Sequence, residues 1–373
     1  MIHKSAIVIG AGIVGLAAAR ALSEKGYHVR VFERRPRAVG ASVRNFGMIW
    51  PIGQPAGKLY DRAIRSRAIW QELLEAGGIW HRQTGSLLAA HRPEEMAVLE
   101  AFMEKDGRCS AKLLTPEQAL EKSPALGSKE LLGALWSEDE MIVDPREAIR
   151  LLPEVLNAQY GVEFYFGQAV SRVKHPQVWI GRQTYEADLI FVCSGQDFET
   201  LFPEEYAAAP LTKCKLQMMR THPQAGGWNI GASLCAGLTL THYKAFAGLP
   251  GLQKLQSLYD EWYPEHVRWG IHVLVSQNGL GEITLGDTHE YGLDLDPFDK
   301  PHLNELVLDY LFEFVQFRDM RIAETWNGVY AKTTDGSTEI VLHPEPGVVI
   351  VNGLGGAGMT LSFGLLEETA DNL

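Results

Sequence analysis

Ile7-Val8-Ile9-Gly10-Ala11-Gly12-Ile13-Val14-Gly15-Leu16-Ala17-Ala18-Ala19-Arg20 reads as an apolar strand, three spaced glycines and then a helix of small and aliphatic residues. Gly10 permits a tight turn and Gly12 lets a diphosphate approach the backbone. Gly15 allows the helix to pack closely on the sheet, with its N-terminus facing the anion. A lone GxGxxG is weak evidence, but here a second strand, Val29-Arg30-Val31-Phe32, ends at Glu33. That is about the spacing at which an acid receives ribose hydroxyls in a dinucleotide-binding fold. Strand, glycines, helix and acid in register argue against a glycine-bearing turn that binds nothing.

Composition is that of an ordinary globular protein: 46% of the 373 residues are hydrophobic, ample for a large core. A net charge of −12 argues against a nucleic-acid partner, because such binding is dominated by neutralising phosphates with Lys and Arg. The four cysteines, Cys109, Cys193, Cys214 and Cys235, show neither CxxC pairing nor metal-ligand spacing. They read as reduced thiols, and no metal site is expected. The N-terminus lacks a basic region followed by a cleavable apolar run, and no apolar stretch reaches membrane-spanning length. Both points lead to the expectation of a cytoplasmic protein.

Beyond Glu33 the basic segment Arg34-Arg35-Pro36-Arg37 precedes a polar, glycine-bearing loop over 40–51, and loops of that length in a compact domain are usually functional. Ser42 and neighbouring amides are candidates to hold phosphate, while Arg44 and Asn45 are candidates to approach a ring system or an anionic substrate. Solvation, or pairing with surface acids, is the commoner fate of Arg34, Arg35 and Arg37. An amphipathic helix is expected over 57–76, a strand over 85–90 and a helix over 93–103. Thr115-Pro116-Glu117-Gln118 and Asp144-Pro145 then look like the capped starts of two further helices. Strands follow at 162–166 and 169–173, and 188–195 reads as a buried strand that returns to the first sheet and ends in a glycine turn. From 211 to about 331, strands rich in Thr, Val, Ile and Trp with helices inserted at 252–262 and 302–314 suit a mixed sheet carrying a substrate pocket.

The chain closes on Val348-Val349-Ile350-Val351-Asn352-Gly353-Leu354-Gly355-Gly356-Ala357-Gly358-Met359-Thr360, a strand into a glycine loop into a helix. Such a helix N-terminus can stabilise negative charge on a reduced ring, and its glycines permit close backbone approach.

Together, 7–20 with Glu33, the strand 188–195 and the closing 353–360 resemble the FAD-dependent amine oxidases of the D-amino-acid oxidase and sarcosine oxidase group. The resemblance covers essentially the whole chain. It implies an α/β protein in which a Rossmann-like FAD-binding domain is interleaved with an α+β substrate domain built on a mixed, mostly antiparallel sheet. The expected boundaries are 1–85, 140–210 and 332–373 for the first, and 86–139 with 211–331 for the second. FAD would lie extended, with Gly10, Gly12, Gly15, Glu33 and Arg34 at its adenosine diphosphate end and Val170 near adenine. Gly355, Gly356, Gly358, Met359 and Thr360 would lie near the flavin. Ala11, Ile13, Val14, Ser42, Val43, Arg44, Asn45, Ser194, Gly195 and Gly353 complete the expected cofactor contacts. More narrowly, 41–55 and 358–364 are similar to a bacterial branch associated with phosphonate breakdown, whose proposed substrates are aminoethylphosphonate and its N-methyl derivatives.

Three positions depart from the sarcosine oxidase pattern. Gly328 stands where those enzymes carry a flavin-linking cysteine, which implies noncovalent FAD. Thr360 replaces a lysine that holds the substrate carboxylate, and Thr284 a lysine associated with oxygen activation. A phosphonate head would account for the first lysine's loss, since its oxygens take several donors. The implied reaction removes hydride from the carbon beside a neutral amine, giving an imine that hydrolyses to an aldehyde, with O2 as the expected acceptor. Arg44, Asn45, His242, Tyr243, His289, Tyr330 and Lys332 are the candidate pocket residues, with His289 and Tyr330 ranked first. The rival readings are an oxidase of glycine, sarcosine or a D-amino acid, an FAD dehydrogenase of a 2-hydroxy acid or amino acid, and a noncatalytic flavoprotein. A single Rossmann fingerprint leaves no separate NAD site.

Overall fold

The computed structural model describes residues 4–106 and 110–373; Cys109 lies outside them. The other three cysteines are buried free thiols. Ser5–Ile9 is buried along nearly its whole length, as expected of a parallel strand covered on both faces. It lies within a six-stranded sheet ordered Ile340–Leu342, Val348–Asn352, Leu189–Val192, Ser5–Ile9, His28–Glu33 and Glu163–Phe166. Every neighbouring pair is parallel except the outermost, Ile340–Leu342 against Val348–Asn352. Ile7 pairs with Ile190 on one side and Arg30 on the other, so the predicted return of the 188–195 segment to the first sheet is observed.

Helices Ile13–Glu24 and Gly358–Asp371 follow two strands of this sheet and pack against each other. Because those strands run parallel, their C-terminal ends share one edge, and both helices begin there. Gly15 makes the first turn possible, since a Cβ at that position would fall 1.8 Å from the Gly10 carbonyl oxygen. Arg62, buried on helix Lys58–Gly77, clamps that helix to the last one through two 2.8 Å bonds to Glu368.

The second sheet runs Glu290–Gly292, Leu211–Thr221, Ile283–Gly286, Leu274–Gln277, Ser233–Ala236, Ser86–Ala90, Gly133–Ser137 and Ala111–Leu114, with Ile322–Thr333 paired along Leu211–Thr221. Only Ser233–Ala236 against Ser86–Ala90 is parallel, so the sheet is mixed and mostly antiparallel, as the sequence leads one to expect. Both predicted caps form: Thr115 makes a full capping box with Gln118, and Asp144 accepts from the Arg146 amide at 2.9 Å.

Some local expectations change. The 93–103 helix continues as Pro93–Asp106. Val170–Lys174 lies in a separate antiparallel meander with Gln177–Ile180 and Gln183–Glu186. The 40–51 loop contains a short strand, Met48–Ile49, paired with Met141–Val143, and the Gly47 carbonyl accepts the Val143 amide at 2.9 Å. These long-range bonds hold what looks, locally, like free loop.

Candidate active site

A cavity of about 600 Å³ extends from the glycine turns at the edge of the first sheet to the inner face of the second. At one end Gly10 has φ +103°, and a Cβ there would meet the Cys193 carbonyl at 2.4 Å. Glu33 Oε2 accepts the Ala11 amide at 3.0 Å and Oε1 the Arg35 amide at 2.9 Å, so the carboxylate is fixed at the cavity wall. Ser42 Oγ accepts the Ile13 amide at 2.9 Å, serving the first helix as a cap from 29 residues away. Arg34 is drawn to Asp197 at 2.6 Å.

At the other helix N-terminus no side chain among the described residues caps the first turn. Gly355, Gly356, Gly358, Met359 and Thr360 all line the cavity there. Tyr330 and Lys332, on Ile322–Thr333, stand against this loop: a Cβ at Gly356 would lie 3.7 Å from the Tyr330 hydroxyl, and one at Gly355 3.6 Å from Lys332 Cγ. Thr360 Oγ1 accepts the Trp50 amide at 2.9 Å, tying the 40–51 loop to the last helix. Two helix N-termini, an acid at the turn and an open glycine wall form a cradle of the shape and polarity that an extended dinucleotide requires.

The substrate-side candidates divide by their bonding. Arg44 and Lys332 reach the cavity without a carboxylate partner among the described residues; Arg44 donates to the Asn327 carbonyl at 3.0 Å and Lys332 to the Tyr291 hydroxyl at 3.0 Å. Burial holds the Lys332 ammonium below the ordinary lysine pKa. Asn45 lines the cavity, but both ends of its amide bond its own loop, donating to Ala41 at 2.9 Å and accepting from Gly47 at 2.8 Å. Tyr243 packs edge-on to His242 and His272.

Around His289 the structure gathers two residues that sequence reasoning did not select, His272 and Asp287. His242 and His272 stack with ring centroids 3.6 Å apart, and His289 lies 4.8 Å from His242. Asp287 Oδ1 stands 3.5 Å from His272 Nε2, and its Oδ2 3.8 Å from His289 Nε2. Burial raises the Asp287 carboxyl pKa to about 8 and lowers that of His289 to about 4. Burial first, then the neighbouring imidazoles, put His242 and His272 well below the usual histidine value. All three histidines line the cavity; His242 is exposed, whereas His272 and His289 are buried. The spacing Asp287-Thr288-His289 holds the one available signal, because alternate residues of extended chain share a face; His272 carries none.

Of the predicted cofactor contacts, Gly10, Gly12, Ile13, Val14, Glu33, Arg34, Ser42, Arg44, Asn45, Val170, Ser194, Gly195, Gly355, Gly356, Gly358, Met359 and Thr360 line the cavity. Ala11, Gly15, Val43 and Gly353 stand behind it: Ala11 and Val43 join the apolar core, while Gly15 and Gly353 shape turns. The predicted pocket residues Tyr243, His289, Tyr330 and Lys332 also line it, and Phe32, Trp50 and Asn352 were not anticipated.

A family model described as FAD dependent oxidoreductase (DAO) matches residues 5–372. Among curated proteins, the tRNA 5-methylaminomethyl-2-thiouridine biosynthesis bifunctional protein of Nitrosospira multiformis is 24% identical over 250 residues, 62% of this chain and 38% of that protein. The D-amino-acid oxidase of Streptomyces coelicolor is 35% identical over 80 residues, 21% of this chain and 24% of that one. The matched part is thus well under two thirds of either relative. Among solved structures, L-proline dehydrogenase from P. horikoshii superposes with a TM-score of 0.76 at 22% identity, covering 99% of this chain and 92% of that one. Glycine oxidase from Bacillus cereus superposes with a TM-score of 0.75 at 17% identity, covering 99% and 94%. At these identities the structures establish a shared fold. No helix among the described residues is long and apolar enough to cross a membrane.

Proposed function

The chain belongs to the DAO family of FAD-dependent oxidoreductases, and from that premise we propose that it oxidises a small primary or secondary amine to an imine that hydrolyses to an aldehyde. The preferred substrate in this reading is an (N-methyl)aminoethylphosphonate giving phosphonoacetaldehyde, with O2 as acceptor and H2O2 as product. The observation that carries it is the meeting, in one cavity, of the glycine loop 355–360 with Arg44 and Lys332, two cations without carboxylate partners among the described residues. In the proposed division of labour, 1–85, 140–210 and 332–373 hold the cofactor, while 86–139 and 211–331 hold the substrate.

Noncovalent FAD, held along Gly10, Gly12, Glu33 and the closing glycines, would supply the two-electron oxidation of the carbon–nitrogen bond. Gly328 offers no side chain to link to it. Burial holds Lys332 and the imidazoles below their ordinary pKa values, and desolvation disfavours a substrate ammonium in the same way. It therefore favours the uncharged amine that gives up hydride. Arg44 and Lys332 anchor the anionic head. A phosphonate carries more charge and one more oxygen than a carboxylate, so donors left unpaired around the smaller head discriminate between them.

Comparing kcat/KM for N-methyl-aminoethylphosphonate, aminoethylphosphonate, sarcosine, glycine and D-alanine tests the head-group reading. A carboxylate as best substrate removes the phosphonate and leaves amine oxidation standing. The likeness to glycine oxidase from Bacillus cereus and to the D-amino-acid oxidase of Streptomyces coelicolor is what favours that second reading. Anaerobic flavin bleaching by the amine, followed by mixing with O2, separates oxidase from dehydrogenase by the rate of reoxidation.

A further inference from the structure

We propose that His242, His272 and His289 form a site for one divalent first-row transition ion of the zinc class, whose open position takes an oxyanion from the cavity. The three side chains come from different parts of the second sheet's framework. His242 ends the short helix Leu238–His242, His272 precedes strand Leu274–Gln277, and His289 follows strand Ile283–Gly286. One ligand nitrogen from each lies within 4.8 Å of the others. Metal–nitrogen bonds of ~2.1 Å put tetrahedral donors about 3.4 Å apart, so small ring rotations close the set. His242, the exposed member of the three, is the freest to make them.

The bonding of the second nitrogens supports a ligand role. His289 Nδ1 lies 2.8 Å from the Gly270 carbonyl, which can only accept. The proton is therefore on Nδ1, and Nε2 presents a lone pair toward Asp287, an arrangement in which the outer partner fixes the tautomer of a metal ligand. Asp287 Oδ2 stands 3.8 Å from that nitrogen, beyond hydrogen-bond reach. His272 Nδ1 and Asp287 Oδ1 are buried with no hydrogen-bond partner among the described residues, and such orphaned atoms cost stability unless something satisfies them. Neutral imidazoles are ligands suited to zinc, copper, iron and nickel, and Asp287 with the arriving oxyanion balances the charge. That oxyanion is the head group of the amine proposed above, so this part rests on the amine-oxidation reading; the metal site itself does not.

The test uses the FAD-loaded protein, freed of metal by dialysis against a chelator. It is titrated with Zn2+ by calorimetry and with Co2+ by absorption to the red of the flavin bands. One ion per chain is expected, with cobalt ligand-field bands that shift when methylphosphonate is added. His272→Ala and His289→Ala should each weaken binding by roughly 100-fold or more, beyond the ~10–100-fold effect of losing an outer hydrogen-bond partner. Retained FAD content reports that each variant is folded, and His272→Asn and His289→Gln replace any variant that loses it. His81→Ala, outside the cavity, should bind as wild type. Failure of the wild-type protein to bind an ion stoichiometrically, or unchanged affinity in both histidine variants, overturns the site. Unshifted cobalt bands overturn the oxyanion role alone. Because the cobalt signal needs no turnover, loss of this proposal and loss of the amine reading, seen as a flavin that no amine bleaches, are separate results.

Discussion

The carboxylate of Glu33 accepts the Ala11 amide at 3.0 Å, joining the end of the second strand to the glycine turn that follows the first. The acid is thereby fixed at the cavity wall with lone pairs remaining for ribose hydroxyls.

Glu33→Ala should weaken FAD binding to the apoprotein by about 1–3 kcal/mol, the scale of lost charged hydrogen bonds. Fluorescence titration with FAD measures this, and unchanged affinity would remove Glu33 from the cofactor site.

With glycine at 328, acid precipitation of the yellow protein should leave FAD in the supernatant in equimolar amount. Flavin that stays with the pellet would mean that a linkage forms elsewhere.

Lys332→Gln should raise KM for amines with an anionic head by roughly 10–100-fold, the loss of ~1.5–3 kcal/mol for a hydrogen bond to a charged group, and change little for an uncharged amine. Equal losses for both classes would show that Lys332 serves the cofactor and not the head group.

Glu140 is buried, accepts from the Ile52 amide at 2.9 Å and the Ser86 hydroxyl at 3.0 Å, and burial pushes its pKa up to about 7. A carboxyl raised in the folded state contributes stability that is complete below its unfolded pKa and is lost as pH rises through the folded one. Here the loss runs from about pH 4.5 to 7 and amounts to roughly 3 kcal/mol. Glu140→Gln removes the titration, so its thermal midpoint relative to wild type should climb between pH 5 and pH 8. A constant difference would contradict this environment for Glu140.

The dinucleotide fold was legible because its causes are local. Gly10, Gly12 and Gly15 follow a buried strand, Glu33 ends the next, and the 353–360 loop repeats strand, glycines and helix at the far end of the chain. Each signal spans a few residues, and backbone sterics act over that range. The sequence could not show that the two helices start at one sheet edge, because that depends on Leu189–Val192 and Val348–Asn352 pairing in parallel. Tertiary structure alone decided the arrangement at the candidate substrate end of the cavity. It bonded Asn45 into its own loop and left Arg44 and Lys332 without carboxylate partners among the described residues. It also brought His272 and Asp287 to His242 and His289. His242 and His272 are 30 positions apart in sequence and carry no motif. Their meeting, and the desolvation that keeps them neutral, follow from how the second sheet and its helices pack.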